Sequence, residues 1–156
     1  MNEIALDEID LRILDILQKK GRTKRIDLAE AVGLSLPSVS DRLRKLEEQH
    51  IITGYHALVD PRRLGKDLTA FIFVTVDSSK HYSQFLDHAK SQDDILECHA
   101  ITGEGTHLLK VRTGSTASLE KLLARIQAWQ GVGSTRTNLV LSTTKETTRI
   151  RLESGR

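Results

Sequence analysis

The stretch LAEAVGLSLPSVSDRLRKLE, residues 28–47, carries two helical patterns separated by a glycine. Apolar residues at helical spacing predict a short helix that ends at Gly33, where glycine readily adopts a left-handed turn. Ser35 can cap a following helix, and Pro37 falls in its first turn, where a missing N–H is tolerated. Two helices joined by so tight a turn are typical of a helix-turn-helix unit.

The second of these helices presents a narrow apolar seam of Val39, Leu43 and Leu46. Its other residues are mostly polar: Ser38, Ser40, Asp41, Arg44, Lys45 and Glu48 point away from the seam, and Arg42 lies on its flank. Short hydroxyls followed by arginine and lysine suit the bases and phosphates of a DNA major groove. Asp41 is a mismatch, since DNA repels a carboxylate unless it accepts from a cytosine amine or holds an arginine. A three-helix protein-interaction module is the alternative.

Upstream, apolar residues at helical spacing between Asp7 and Lys20 predict a first helix with Asp7 as its N-cap. Thr23 is the expected cap of the second helix, because the Lys24 side chain cannot accept a hydrogen bond. The segment KKGRTKR, residues 19–25, places five positive charges in seven residues, although the net charge of the chain is only +2. This local cluster favours a phosphate-bearing partner, and a solvated helix end is equally compatible with it.

A different pattern follows TGYHALVDPRRLG, residues 53–65, which reads as a connector with a strand at about residues 56–60. Beyond it the chain alternates strands and helices: strands at 68–77, 95–101, 107–111 and 137–143, and helices at about 82–89 and 119–129. The order β-α-β-β-α-β is the split βαβ, ferredoxin-like arrangement. We therefore expect a helix-turn-helix DNA-binding domain at 1–54, a linker with a connecting strand at 55–66, and a ferredoxin-like effector-binding and oligomerisation domain at 67–156.

The first strand of this second domain is apolar on both faces, while both helices are expected on one face of the sheet. The open face then needs a cover, and a second copy of the domain is the economical one, so we expect a homodimer. The tail KETTRIRL, residues 145–152, alternates and could add an edge strand within that assembly.

The stretch TGEGTHLL, residues 102–109, contains a G-x-G pair that could belong to a phosphate-binding loop. Such a loop needs a following helix, whereas a strand follows here, so the glycines indicate a turn between strands and the rim of a ligand pocket. Adjacent strand residues point to opposite faces, so Cys98 and His99 cannot readily share a metal ion, and we predict neither a metal nor a cofactor.

Several classes of protein are excluded or disfavoured by composition. The single cysteine excludes an internal disulfide framework and suits a reducing cytoplasm. No apolar run approaches the roughly 20 residues of a membrane span, and the acidic start MNEIALDEID is unlike a signal peptide. Two tyrosines, three phenylalanines and one tryptophan provide no aromatic platform for single-stranded nucleic acid.

Five stretches, in this order, resemble the leucine-responsive/asparagine-responsive (Lrp/AsnC) transcriptional regulators: LDEIDLRILDILQKKGR (6–22), LAEAVGLSLPSVSDRLRKLE (28–47), IITGYHALVDPRRLG (51–65), TGEGTHLLKVR (102–112) and TRTNLVLSTTKE (135–146). The resemblance implies an α+β protein in which a winged-type, three-helix helix-turn-helix domain precedes a ferredoxin-like βαββαβ domain of the RAM type. It further implies a cytoplasmic, nucleoid-associated regulator whose dimers assemble into octamers. The effector in such proteins is usually a free amino acid bound between adjacent dimers.

The resemblance also implies particular site residues. The DNA contacts would be Ser35, Pro37, Ser38, Arg42, Arg44 and Lys45, with Arg22 and Arg25 near the backbone. The effector cleft would be lined by Gly103, Glu104, Gly105, Thr106 and His107 on one side and by Thr135, Thr137, Asn138 and Ser142 on the other. Effector binding would shift the population of assemblies or dimer orientations, and so change which DNA half-sites can be occupied.

This chain departs from the family pattern at three places. His50 stands where a glycine commonly follows the third helix, and Lys24 stands where a small polar cap is common. The family often has an acid–aromatic–acid run after the position of Gly103, whereas this chain has Glu104-Gly105-Thr106. Glu104 remains to hold an amino acid's ammonium group, but Thr106 lacks the second charge.

Two other functions are alternatives to a ligand-responsive regulator. Siroheme decarboxylases are similar in architecture, and DPRRLGKD (60–67) has paired arginines, but their histidine–arginine constellation is not evident, so no enzyme is predicted. The second alternative is an architectural protein that binds DNA and oligomerises without any ligand.

Overall fold

The computed structural model describes residues 6–153. Its contacts divide the chain into two compact units. One holds the residues up to Leu58 together with those from Lys145 onward, and the other holds Val59–Thr144. The first unit is therefore discontinuous in sequence, since the final segment of the chain returns to it. Residues 1–5 and 154–156 of the predicted domains lie outside the described residues.

The first unit contains helices α1 (Glu8–Lys19), α2 (Arg25–Val32) and α3 (Leu36–Glu48), as predicted. Asp7 caps α1 in a capping box with Asp10, and Ser35 caps α3 by accepting from the Ser38 N–H. Apolar residues of all three helices form one buried core: Ile13, Leu14, Leu28, Ala29, Val32, Val39, Leu43 and Leu46.

The turn between α2 and α3 is made by Gly33, which has a φ of 70°. The Leu34 N–H donates to the Ala29 carbonyl at 3.0 Å and closes the end of α2. The predicted capping role of Thr23 is wrong. Its hydroxyl donates to the Lys20 carbonyl at 2.6 Å, while Lys24 occupies the N-cap of α2 and, among the described residues, no side chain caps that helix end.

The end of α3 is a Schellman motif built around His50. The Ile51 N–H donates to the Leu46 carbonyl and the His50 N–H donates to the Glu47 carbonyl, which satisfies two of the last carbonyls of the helix. His50 adopts a φ of 55°, and in the described chain no other residue except glycine has a positive φ. The helix thus ends as it would with glycine, although a side chain makes this conformation costly.

The second unit contains β1 (Leu68–Val76), α4 (Tyr82–Lys90), β2 (Ile95–Ala100), β3 (His107–Thr113), α5 (Thr116–Gln127) and β4 (Val132–Leu139). The last strand begins and ends earlier than predicted, because the polar sequence VGSTRTNL pairs with β1 although it lacks an apolar alternation. Residues 56–60 and 145–152, both considered as strands, lie outside any strand of the described chain.

The sheet order β2-β3-β1-β4 and its antiparallel pairs confirm the ferredoxin-like topology. Alternate residues of β1 and β3 are buried with apolar residues of α4 and α5 in a single core: Ala70, Ile72, Val74, Val76, Phe85, Ala89, Leu109, Val111, Leu119, Leu122 and Ile126. The intervening residues Phe71, Phe73 and Leu108 are only partly buried and lie at the centre of the opposite, open face. Among the described residues, none of the helices is long and apolar enough to cross a membrane.

Replacing His50 by glycine should raise the free energy of unfolding by up to about 1 kcal/mol. A left-handed residue with a side chain costs roughly 1–2 kcal/mol, and the greater freedom of glycine in the unfolded chain offsets part of the gain. The measurement is urea denaturation followed by circular dichroism. Gly33→Ala is the matched control, because its φ is 70° and no atom lies within 4 Å of the added Cβ. It should lower stability, and an unchanged or lower midpoint for His50→Gly would contradict the assignment of strain.

Candidate functional site

The predicted DNA-contacting residues lie on the exposed surface of the first unit, with one exception. Helix α3 buries its apolar seam and leaves the opposite face to solvent. The exposed residues of the predicted set are Arg22, Arg25, Ser35, Pro37, Ser38, Arg44 and Lys45. The Ser35 and Ser38 hydroxyl oxygens lie 2.8 Å apart at the start of α3, so short polar groups stand where the helix offers its unpaired N–H groups.

The mismatched carboxylate of Asp41 is engaged by its neighbours on the same helix. Arg44 donates to it at 2.6 Å and Lys45 lies 2.8 Å from its other oxygen, while Arg44 also reaches Glu48 at 2.8 Å. These partners lower the pKa of the Asp41 carboxyl, with the Lys45 hydrogen bond the largest cause. Exposed ion pairs of this kind contribute little net stability, so phosphate oxygens can replace the carboxylates as partners of the two cations.

Arg42, the exception, is only 28% exposed and connects α3 to α1. Its guanidinium donates to Asp7 and to Asp10, both at 2.7 Å, and these are the two residues of the α1 capping box. The backbone hydrogen bond from Asp10 and then the Arg42 hydrogen bond hold the pKa of the Asp7 carboxyl below its usual value. Arg42 thus fixes the third helix on the first.

In the second unit, the predicted effector loop between β2 and β3 is fastened to the end of β1 by Thr106. Its N–H and its hydroxyl donate to the Val74 carbonyl at 2.9 and 3.1 Å, and the hydroxyl accepts from the Val76 N–H at 3.0 Å. Gly105 has a φ of 81°, and a Cβ there would lie 3.0 Å from the Val74 carbonyl oxygen. The Thr106 hydroxyl therefore positions the loop on the strand.

His107 lies in the core on the helix side of the sheet, since it is 1% exposed. Its ring packs against those of Tyr82 and Phe85, with centroids 4.9 and 4.7 Å away, and its Nδ1 lies 2.9 Å from the Thr106 hydroxyl. Burial lowers the pKa of His107 and so favours the neutral imidazole. The structure places this predicted rim residue behind the loop, where it supports Thr106.

The polar centre at the tip of the loop is an ion pair between Glu104 and Arg136. The two terminal nitrogens of the Arg136 guanidinium donate to the two carboxylate oxygens of Glu104, and both side chains are more than half exposed. The guanidinium carbon also lies 5.2 Å from the centroid of the Phe73 ring, which holds the arginine over the open face. Sequence reasoning missed Arg136, although it lies between two residues of the predicted set.

The remaining predicted effector residues are divided between the two faces of β4. Thr135 and Thr137 are paired with Val74 and Ile72 and so share the helix side of the sheet. The Thr135 hydroxyl is the partner of the Gln127 side chain at 2.8 Å. Asn138 is opposite Phe71 and shares the open face with Arg136, while Gly103 and Ser142 are exposed in the segments next to the strands. The structure therefore brings Glu104, Arg136 and Asn138 to one face.

The described residues contain no group of three or more histidine, cysteine or acidic side chains placed to hold a metal ion. Cys98 is opposite Leu109 and His99 is opposite Leu108, so the two side chains face opposite sides of the sheet, as predicted. Burial raises the pKa of the Cys98 thiol, which suits a side chain packed against the core.

Two stretches of the chain match known domain families. Residues 69–150 match the Lrp/AsnC ligand binding domain, and residues 6–53 match a winged helix-turn-helix DNA-binding domain. The leucine-responsive regulatory protein of Escherichia coli (strain K12) is 36% identical over 148 residues, which cover 93% of this chain and 90% of that protein.

Solved structures of similar fold cover almost all of the chain. The transcriptional regulator NMB0573 of Neisseria meningitidis, in complex with L-Met, has a TM-score of 0.89 at 30% identity, over 94% of this chain and 96% of that one. The structure of E. coli AsnC has a TM-score of 0.87 at 31% identity, over 94% of this chain and 99% of that one.

Replacing Arg42 by glutamine should lower the free energy of unfolding by about 1 kcal/mol at neutral pH, because two charge-assisted hydrogen bonds are lost at a partly exposed site. Since the folded pKa of Asp7 is lowered, its contribution is fully present above the unfolded value of 3.8 and is lost as pH falls through the folded value. The deficit of the variant should therefore shrink in acid. Denaturation from pH 7 to pH 2 measures it.

Arg44→Gln is the matched control for this variant, because its pairs are exposed and within one helix. It should leave stability essentially unchanged at any pH, because exposed pairs of this kind contribute little. An Arg42 variant as stable as the parent, with a smaller salt dependence of DNA binding, would instead identify Arg42 as a DNA contact.

Proposed function

The chain belongs to the Lrp/AsnC family of transcriptional regulators, and on this premise we propose that a free amino acid, bound where Glu104 meets Arg136, controls its binding to DNA. The family relationship makes it a DNA-binding regulator with an effector domain rather than an enzyme. What remains to be identified is the chemistry of the effector, the residues that read it and the way in which binding is transmitted.

The observation that carries this proposal is the exposed Glu104–Arg136 pair at the end of the sheet. A free amino acid bears one ammonium and one carboxylate group on neighbouring atoms. Its ammonium suits the Glu104 carboxylate, and its carboxylate suits the planar fork of the Arg136 guanidinium. A bound amino acid can therefore take the place of Arg136 as the partner of Glu104, and of Glu104 as the partner of Arg136. The L-Met complex of the Neisseria meningitidis regulator supports an effector of the same class here.

The selectivity of this site comes from the surface around the pair. Phe73 provides an apolar surface beneath Arg136, and the Asn138 amide on the same face offers both a donor and an acceptor. Thr106 has its hydroxyl bonded to β1, which leaves Glu104 as the carboxylate of the loop. With one carboxylate rather than two, the loop suits an effector whose side chain carries no positive charge.

For DNA, we assign reading to the exposed face of α3. Ser35, Ser38, Arg44 and Lys45 would contact bases and phosphates, while Arg22 and Arg25 would contact the backbone on either side. Pro37 brings no N–H to the first turn and would pack against the sugar-phosphate backbone. Arg42 acts one step away, because its bonds to Asp7 and Asp10 set the position of α3.

Transmission requires more than one copy of the chain. Phe71, Phe73 and Leu108 form an apolar centre on the open face of the sheet, and a second copy of the same face is the self-complementary cover. Dimers would then join into octamers, with the effector favouring one arrangement of the paired reading helices and so one spacing of DNA half-sites. Such a regulator would act in the cytoplasm, on the nucleoid.

Removing two charges from α3, in the double variant Arg44→Gln with Lys45→Gln, should weaken DNA binding. The slope of log affinity against log salt is negative, and each lost phosphate contact reduces its magnitude by about 0.9. Two lost contacts should therefore reduce it by about 1.8. Fluorescence anisotropy at several salt concentrations measures both quantities. The matched control replaces Arg62 and Arg63, an exposed pair outside the helix-turn-helix. Equal slopes for the α3 variant and the parent would exclude α3 as the reader.

A thermal-shift screen of the twenty amino acids should find at least one that raises the unfolding midpoint, because it binds the folded state. The amide and the N-acetyl derivative of that amino acid should each be ineffective, since one lacks the carboxylate and the other the ammonium group. Arg136→Gln should abolish the response and Glu104→Gln should reduce it severalfold. Arg125→Gln, the same change on the exposed surface of α5, should preserve it.

Two outcomes would refute different parts of this proposal. If no amino acid alters the midpoint, the assembly or the DNA affinity of the parent, the chain is a ligand-independent architectural protein. If an amino acid acts equally on the parent and on Arg136→Gln, the effector is correct and its assigned site is wrong.

A further inference from the structure

The final segment of the chain, residues 145–153, lies with the first unit and contacts α1. We call it the tail. Its contacts begin with Gln18, whose side-chain amide makes two hydrogen bonds to one residue of the tail. The Gln18 nitrogen donates to the Ile150 carbonyl at 3.0 Å, and the Ile150 N–H donates to the Gln18 oxygen at 2.7 Å. A side-chain amide here satisfies both backbone groups of one residue, as a neighbouring strand would.

Two further contacts flank this pair of hydrogen bonds. Arg149 donates to Asp15 at 2.7 Å, one turn before Gln18 on the same helix. Leu152 is partly buried against the core of the first unit. Together with Leu152, residues of α1 and α2 line a depression, which we call the tail groove: Glu8, Leu11, Arg12, Asp15, Ile16 and Ala31. The tail is thus fixed by charge, by its backbone and by an apolar side chain.

The tail groove lies between α1 and α2, and a hydrogen bond within it connects the two helices. The Arg12 guanidinium in the groove donates to the Ala31 carbonyl at 2.9 Å, which connects α1 to the last turn of α2. Glu8 and Asp15 give the groove two carboxylates beside Arg12, and the tail brings Arg149 to Asp15. A ligand for this groove is therefore an extended peptide in which a basic residue precedes a leucine by three positions.

From these contacts we propose that the tail groove is a peptide-binding site whose ligand is the tail of the same chain. The short connection explains why the chain's own tail occupies it. Val140 makes a last bond to Thr69 of β1, and only eight residues separate it from Arg149. Because the tail belongs to the same chain as the groove, its binding is intramolecular and needs no second copy. The bound tail thus adds to the first unit a segment that follows β4 in sequence.

A charge-reversal cycle in the full chain tests this binding. Asp15→Arg alone and Arg149→Asp alone should each release the tail, and the amides of α1 should exchange hydrogen severalfold faster. Asp15→Arg also breaks the Asp15–Lys19 pair within α1, so the recovery of the double variant is measured relative to Asp15→Arg alone. The two changes together restore an opposite pair and should restore protection. Arg151→Asp is the matched control: it makes the same charge change on an exposed side chain of the tail and should leave α1 unaffected. Equal exchange in the parent and both single variants would overturn the proposal.

Mixing the two single variants decides which tail fills the groove. If each tail binds its own chain, both chains keep an unmatched pair and the mixture exchanges as fast as its components. Recovery of protection in the mixture would show that the tail comes from a second copy, which overturns the intrachain assignment. Neither measurement uses DNA or an amino acid, so a failure here is separate from a failure of the proposed effector site.

Discussion

Side-chain alternation along β1 is the constraint on which the second unit depends. Its even-numbered residues from Ala70 to Val76 are buried beneath the helices, while Phe71 and Phe73 face the other way. Because β1 lies between β3 and β4 in the sheet, the same alternation orients the side chains of both neighbouring strands. Its end also holds the loop through Thr106. The core, the open face and the loop between β2 and β3 are therefore all positioned by one strand.

In the helical unit, one arginine of α3 holds two helices together instead of lying on the exposed surface. Arg42 bonds to the α1 capping box, and the remaining cations of α3 are balanced by Asp41 and Glu48 on their own helix. The exposed face of α3 is thus almost neutral, because the charges of Arg44 and Lys45 are offset by carboxylates of the same helix. Because Arg44 and Lys45 are paired within their own helix, isolated anions bind to them only weakly. Closely spaced phosphates bind better, since they can replace both carboxylates at once.

The sequence alone predicts what depends on near neighbours. The caps at Asp7 and Ser35, the glycine turn and the topology of the sheet follow from short patterns, and the structure confirms them. Some local predictions are nevertheless wrong: Thr23 does not cap α2, and β4 begins earlier than expected because its sequence is polar. Contacts between residues distant in sequence carry no local signal: Arg42 reaches back across 35 positions to Asp7, and Arg149 reaches back across 134 to Asp15. Arg136 is missed as well, because the strand expected from the sequence begins at Thr137. In β4 as the structure has it, alternation separates Arg136 from Thr135 and Thr137 and turns it towards Glu104.

The discontinuity of the first unit has a consequence for the order in which the protein is made. Helices α1 to α3 leave the ribosome early, whereas the tail follows only after the whole of Val59–Thr144 has been synthesised. At about 5–20 residues per second, that interval lasts several seconds. During it the tail groove is empty, although helices α1 to α3 have already been made. The DNA-reading unit, although begun first, is therefore the last part of the molecule to be completed.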